Sequence, residues 1–258
     1  METIALIDRE HLIIEKLGLK RLNLEAGLFG LLSESAIEVI NENERLAASN
    51  VIYLMLNQNE PINYLQMLRS DDYHILIEGG PADYYLFYTD GTTARCTLGR
   101  DIARGEVLIV PAPGGTAKAI VLHDEAEYLL AASVVTPAWT PTRVEIGGDD
   151  SFVKKFLDSS VWATETKIRT LLGPNYGKVI GGKTNNLDLE IDDQDQIIFL
   201  GMQLSLGQAA KEIERFATSE PYKTATLIAP EGASMKLINF LKDVAKQNDV
   251  FLTLRPTK

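Results

Sequence analysis

The chemistry open to this 258-residue sequence is limited by its reactive side chains: three histidines (His11, His74, His123) and one cysteine, Cys96. A single cysteine excludes a disulfide framework and any multi-cysteine metal cluster. Cys96, in Arg95-Cys-Thr97, has no neighbouring His or Asn to activate a thiol, so it reads as a strand wall residue and not a nucleophile. His74 opens the strand-like run His74-Ile-Leu-Ile77, two residues after Asp72. Taken alone it reads as a histidine on an outer face or an edge, with pocket residue and metal ligand as the alternatives. Gln66 and Asp72 are of the types that orient a ligand when they converge on an apolar pocket; otherwise they are solvated loop residues. His123 precedes Asp124-Glu125 and reads as part of a charged turn, while His11 sits on the exposed side of a first helix. Tyr84, Tyr85, Phe87 and Tyr88 could stack on a sugar or an aromatic ligand, but strand aromatics more commonly pack the core or pair across strands. Gly177-Lys-Val-Ile-Gly-Gly-Lys-Thr184 lacks the G-x-x-x-x-G-K-[ST] frame, because only three residues separate Gly177 from Gly181. No strand leads into it with a helix directly behind, so no phosphate loop is assigned.

The elements that must carry these residues fall into two textures. Residues 3–17 place apolar groups at helical spacing, and Gly18 is a plausible stop. From about 50 to 136 short apolar runs recur between turn signals: 51–56, 74–77, 84–88, 92–98, 107–110, 117–121 and 128–135. Runs at this spacing with Gly, Pro and Asp between them predict a β-sandwich or a small barrel. After Thr136-Pro-Ala-Trp-Thr-Pro141 the pattern turns helical over 151–172, ended by Gly173-Pro174. Strand pairs at 188–191 and 197–200, a helix at 206–217, a strand at 224–229, a helix at 233–247 and a strand at 250–254 then predict an α/β layer. The boundary is placed at Gly147-Gly-Asp-Asp150, giving an all-β unit over 1–150 and a small α/β unit over 151–258.

Composition agrees with two units of different surface. Apolar residues make up 45% and charged residues 24%, and the formal net charge is −11. Residues 1–150 carry 11 Lys and Arg against 23 Asp and Glu, a net of −12; residues 151–258 carry 14 against 13, a net of +1. An acidic front half repels phosphate backbones, and the lysines of the back half are scattered, so nucleic-acid binding is not expected. No apolar run approaches the roughly 20 residues that span a bilayer. Met1-Glu2-Thr3 opens without a basic and then apolar leader, so the expected location is cytoplasmic.

Several blocks, in order, resemble the cupin superfamily and within it the DUF985 (cupin-5) branch, over residues 17–156. They are Lys16-Leu-Gly-Leu19, Glu25-Ala-Gly-Leu-Phe29, Ile52-Tyr-Leu-Met-Leu56, Leu68-Arg-Ser-Asp-Asp72, Thr89-Asp-Gly91, Leu98-Gly-Arg-Asp101 with Gly105, Val110-Pro-Ala112 and Val135-Thr-Pro137. The resemblance implies a double-stranded β-helix (jelly-roll) barrel whose mouth holds a small molecule. It also implies a homodimer. Cupins usually hold a divalent metal on two or three histidines and a carboxylate, donors that suit transition metals. Here the sequence departs from the pattern. Gln66 stands where the branch carries the first His, Asp72 where it carries Glu, and Ile75, beside His74, where it carries the second His. Pro111-Ala-Pro-Gly-Gly-Thr116 has an extra residue and no His in the second motif. Gln66 is a poor metal ligand and a lone Asp72 binds weakly, so no metal and no cofactor are expected.

The expectation is therefore a cupin-like barrel that binds a small polar molecule, a sugar or an organic acid, or serves as scaffold, with Gln66, Asp72, His74 and Thr116 as the ligand-facing candidates. The alternative is a metal-independent sugar isomerase or epimerase using Asp72, His74 or His123 as acid and base; a purely structural adaptor is the third reading. The order of elements after 151 is compatible with a degenerate restriction-endonuclease-like fold, with Asp188 on its first strand. Gly201-Met-Gln203 stands where such enzymes keep an acid and a lysine, so no metal-assisted phosphodiester attack is expected. An interaction domain is the plainer reading of this half.

Overall fold

The structure, a computed structural model, describes residues 9–42, 44–181, 186–199, 201–219 and 224–257. Residues 3–8 of the expected first helix, the Gly-Lys-Thr at 182–184 and Leu200 lie outside the described residues. The chain opens with helix α1 (Arg9–Leu17), closed by Gly18 in the left-handed region at φ 60°. The early strands are β1 (Lys20–Arg21), β2 (Leu28–Glu34), β3 (Glu38–Asn41), β4 (Glu44–Ala47), β5 (Asn50–Asn57) and β6 (Ile62–Leu68). Then come β7 (Asp71–Gly79), β8 (Ala82–Phe87), β9 (Thr93–Leu98), β10 (Ile109–Ala112), β11 (Ala117–Leu122), β12 (Tyr128–Thr136) and β13 (Val144–Gly148). Helices α2 (Asp150–Phe156) and α3 (Glu165–Leu172) and strand β14 (Lys178–Gly181) follow.

Two six-stranded sheets form, in the orders β1-β2-β5-β12-β7-β10 and β14-β13-β6-β11-β8-β9. Within each strand, alternation assigns every second side chain to the interior. On β8, Tyr84 and Leu86 enter an inner cluster with Leu54, Leu56, Ile120, Leu122 and Leu129, while Tyr85 and Phe87 point outward. The outward face is also covered, which is why all six residues of β8 are buried. Phe87 meets Phe152, Phe156 and Trp162 at ring separations of 5.3, 5.1 and 5.4 Å, and Ile168, Leu171 and Leu172 complete that layer. On the first sheet, Met55, Tyr128 and Leu130 form the outer layer under Ile13 of α1. Each fully buried Leu or Phe contributes roughly 2–5 kcal/mol against truncation to Ala.

The domain change expected near 150 falls later. Helices α2 and α3 cover the outer face of the second sheet, and β14 pairs antiparallel with β13, placing Ile180 opposite Ile146. The charge shift at 150 reflects the surface of these helices, where Lys154, Lys155, Lys167 and Arg169 lie, and not a change of core. The helical pattern read over 151–172 is also interrupted: α2 ends at Phe156, and Asp158 takes a positive φ of 59° before α3 starts behind its cap Thr164.

A separate core begins at β15 (Asn186–Ile191) and continues through β16 (Ile197–Phe199), β17 (Met202–Leu204), α4 (Leu206–Ser219), β18 (Thr224–Ala229), α5 (Met235–Gln247) and β19 (Phe251–Pro256). Its sheet order is β17-β16-β15-β18-β19, with β15, β18 and β19 mutually parallel. Parallel neighbours need crossover helices, and α4 and α5 supply them. Leu189, Leu227, Ile213 and Leu241 are wholly buried in this second core. Among the described residues no helix is long and apolar enough to cross a membrane.

Candidate functional site

The interior of the barrel changes from apolar to polar along its length, and register explains how. Asp72 and His74 lie two apart on β7 and so share its inner face. Ser133 of β12 stands opposite His74, and Val135 opposite Asp72. From the facing sheet, β11 brings Lys118, whose partner across the ladder on β6 is Gln66. Two sheets thus deliver five polar side chains to one level, above the inner cluster of Leu, Ile and Tyr84.

These groups are bonded to one another. Lys118 Nζ donates to Asp72 Oδ2 at 2.6 Å, and His74 Nε2 lies 3.0 Å from the same oxygen. Ser133 Oγ donates to Asp72 Oδ1 at 2.7 Å. The second ring nitrogen of His74, Nδ1, is 2.9 Å from the Tyr84 hydroxyl. Asp72, His74 and Lys118 are each only 2% exposed, and Ser133 3%. Burial would raise the Asp72 carboxyl, but the charges and hydrogen bonds of His74 and Lys118 outweigh it and hold it well below the usual carboxylate range. Tyr84 moves the other way: burial, with the negative charge of Asp72 behind it, pushes its hydroxyl well up. Glu25, also buried, is raised by desolvation against the pull of its own backbone amide and of Lys118.

Above this layer lies a cavity of about 360 Å³. Its walls are largely apolar, from Leu22, Phe29, Ile52, Leu54, Leu68, Val135 and Trp139 of the barrel. Gln66, Asp72, His74, Lys118, Ser133, Glu25, Glu34 and Asn50 supply the barrel's share of its polar surface. The roof belongs to the second unit: Met202, Gln203 and Leu204 of β17, and Gln208, Lys211, Glu212 and Arg215 of α4.

The structure brings together three of the four residues singled out from the sequence. Gln66, Asp72 and His74 line one cavity. His74 is buried and inward, not on an outer face or an edge, and Ile75 takes the alternate side of β7. Gln66 lies on strand β6 and not in a loop; its Nε2 donates to Asn63 Oδ1 at 3.1 Å. Thr116 is buried but does not line the cavity. It closes the β10–β11 turn, where its amide bonds to the Pro113 carbonyl at 2.9 Å and the amide of Gly115 to that of Leu68 at 2.7 Å. His123 is partly buried and lies elsewhere, with Nε2 3.1 Å from Asp83 Oδ1. Cys96 packs beside the inner cluster, and burial raises its thiol. Sequence reasoning missed Lys118, Ser133, Glu25 and the whole roof. One signal was available: in Ala117-Lys-Ala-Ile-Val-Leu122 a lone lysine interrupts an otherwise apolar run.

A divalent metal does not fit the residues present. Among the described residues no three His, Cys, Asp or Glu side chains converge as a metal-binding group. The Asp72 oxygen nearest His74 already holds the Lys118 ammonium, a positive charge that a divalent ion there would have to face at contact distance. Gln66, in place of a third strong donor, adds little.

The double-sheet frame has counterparts among known proteins. A family model described as "Cupin superfamily (DUF985)" matches residues 11–147. An uncharacterized protein of Saccharomyces cerevisiae, YML079W, is 28% identical over 140 residues, which are 53% of this chain and 60% of the yeast protein's length. Among solved structures, a hypothetical protein from Leishmania major aligns with a TM-score of 0.56 at 22% identity, over 62% of this chain and 97% of its own. Protein SO0799 from Shewanella oneidensis aligns with a TM-score of 0.54 at 18% identity, over 63% and 96%. At these identities the solved structures speak for the fold alone. The family match covers more than half of the chain, takes in Gln66, Asp72, His74, Lys118 and Ser133, and stops before the roof: this chain belongs to the cupin superfamily, DUF985 family.

Proposed function

We propose that the barrel binds a small organic acid without a metal, with the ligand carboxylate received by Lys118. One observation carries this reading. The Lys118 ammonium has three donors, and among the described residues its Nζ makes one hydrogen bond, to Asp72. It is 2% exposed and borders the cavity, so the remaining donors have the cavity to serve. Buried donors without acceptors are costly, and a ligand oxygen meets that need. The walls support an acid with an apolar body over a sugar, which would present hydroxyls to Leu, Ile, Phe and Val. Charge supports it too. Lys118, Lys211 and Arg215 line the cavity, and burial pushes two of its four lining carboxyls, those of Glu25 and Glu212, toward the neutral form.

Binding is favoured over acid–base turnover because both ring nitrogens of His74 are engaged, by Asp72 and by Tyr84, leaving neither for a substrate proton. Self-association as a homodimer remains part of the reading; its measure is a light-scattering mass of two 28.5 kDa chains. The binding test is calorimetric titration of the full chain with hexanoate. The expected result is saturable binding that weakens at least about tenfold in Lys118→Gln, provided the variant shows a cooperative thermal transition. Hexanoate heats that are absent, or equal in the two proteins, would overturn the proposal.

A further inference from the structure

We infer that helix α4 of the second unit completes the barrel's binding site, and that Glu212 donates a hydrogen bond through Oε2 to a second oxygen of the bound acid. The ligand class narrows accordingly to small acids that carry a hydroxyl, a carbonyl or another carboxyl group away from the end held by Lys118. This rests on the organic-acid reading above and deepens it.

The argument starts from the helix. Gln208, Lys211, Glu212 and Arg215 recur at the i, i+3, i+4, i+7 spacing of one face, and that face roofs the cavity. The adjoining face, Ala209, Ile213 and Phe216, is sunk in the second core, so α4 cannot rotate its polar face away. The roof is also fixed to the barrel. Asn23 Nδ2 donates to the Gly201 carbonyl at 2.5 Å. Gly201, at φ 77°, sits so close to Leu24 that a Cβ there would meet its Cγ at 3.0 Å. The β16–β17 hairpin is thereby latched to the segment that contributes Leu22 and Glu25 to the cavity wall.

Glu212 is the unusual member of the roof. It is 4% exposed, Oε1 accepts from Arg215 Nη1 at 2.8 Å, and Oε2 is buried with no partner among the described residues. Burial raises its carboxyl to about 7 against the pull of Arg215, with Glu44 and Glu34 adding to the rise. The charged groups around it are Arg215 and Lys211 on its own helix, Glu34 of β2 on the cavity wall and Glu44 of β4. Glu44 is itself paired with Arg143 at 3.1 Å. When Glu212 is protonated, Oε1 is committed to Arg215 as an acceptor, so the proton belongs on Oε2. An unpartnered buried oxygen on a side chain that lines the cavity calls for an acceptor from the ligand. The family match ends at residue 147, so this contact lies outside the matched residues.

The test compares hexanoate, 6-hydroxyhexanoate and adipate by calorimetry on the full chain, at a pH below 7 and a pH above 8. Below pH 7 the two oxygenated acids should bind about tenfold tighter than hexanoate, the worth of one well-made buried hydrogen bond. Above pH 8 Glu212 is ionised and repels the second carboxylate of adipate, so the adipate ratio should fall to one or below, whereas the hydroxyl of 6-hydroxyhexanoate, itself a donor, can still bond Oε2. Glu212→Ala should hold the ratio near one at both pH values. Glu212→Gln, whose amide donates at any pH and can still accept from Arg215, should keep the preference and lose its pH dependence. A ratio near one in the unaltered protein, or a preference untouched in Glu212→Ala, overturns the inference. If hexanoate binding still depends on Lys118, that outcome leaves the organic-acid reading standing. No binding by any of the three acids overturns both.

Discussion

The bond between Lys118 and Asp72 predicts a specific energetic signature. Both side chains are almost fully enclosed, at 2% and 3% exposure, and they meet at 2.6 Å. Lys118→Met strands the Asp72 carboxylate with only Ser133 and His74 as donors; Asp72→Asn strands the ammonium. Breaking one side of such a buried pair costs about 3–5 kcal/mol, most of it the penalty of leaving a desolvated charge without its counter-charge. Removing both charges together escapes that penalty. The double variant should therefore be destabilised by less than the two single costs combined, with a coupling energy of about 2–3 kcal/mol. Urea unfolding followed by tryptophan fluorescence is the assay. Trp139 and Trp162, the only tryptophans, both lie in the barrel and its helical cover, so the signal reports that unit. The pH dependence has a definite sign. The folded Asp72 carboxyl lies below its unfolded value, so its stabilisation is full above about pH 4 and is lost as pH falls through the lower folded value. The gap between the unaltered protein and Asp72→Asn should be flat from pH 5 to 8 and shrink only in acid. Single costs below about 1 kcal/mol, or additive costs within about 0.5 kcal/mol, would refute the reasoning.

Three other outcomes follow from named contacts. Phe87→Ala removes a ring that joins the barrel to α2 and α3; it should cost about 3–5 kcal/mol in the same urea assay, and a loss under 1 kcal/mol would detach those helices from the barrel's core. Dialysis against excess manganese or zinc and then metal-free buffer should leave well under one equivalent per chain by elemental analysis, because Lys118 already supplies the positive charge beside Asp72; a retained full equivalent would contradict this. Burial pulls the His123 imidazole down, but its contact with Asp83 outweighs that and the net shift is upward. The contribution of that contact is therefore full below the unfolded histidine value and fades as pH rises through the raised folded one. His123→Gln should lose more stability at pH 6 than at pH 9, and equal losses at both would count against the pairing.

Much of the barrel was legible because its strands are short apolar runs separated by turn residues, a pattern that depends on local chemistry. The runs at 51–56, 84–88 and 128–135 became β5, β8 and β12 within a residue or two at each end. Strand β6 was harder. Ile62-Asn-Tyr-Leu-Gln-Met-Leu68 alternates buried and half-buried positions, but Asn63 and Gln66 point to polar partners inside the barrel, so its inner face does not look apolar. The position of the domain change was misread for a related reason. Charge changes at 150 because α2 and α3 present lysines to solvent, while their buried faces, with Val153, Phe156 and Ile168, extend the barrel's own outer layer. Net charge reports surface, and a core boundary is a matter of which apolar faces meet.

The site itself divides along the same line between local and long-range information. Asp72 and His74 could be paired from the sequence because they are two apart on one strand, though which face they took depended on a register that only the neighbouring strands β10 and β12 fix. Lys118 stands 46 residues beyond Asp72 on the opposite sheet, and nothing local connects them. Their bond ties the two sheets together at the level where the barrel interior turns from apolar to polar. In a cupin that holds a metal, a bound cation can play that part. Here the cation is the Lys118 ammonium, tethered to β11. The difference has a chemical consequence. A coordinated metal offers open positions for ligand oxygens to occupy, whereas an ammonium offers only N–H donors, one of which Asp72 consumes. Such a centre offers a ligand oxygen hydrogen bonds without Lewis-acid activation, which is why the role proposed for the barrel is binding and not turnover. On the proposed reading, selectivity comes from the far side of the ligand, where the barrel ends and α4 begins.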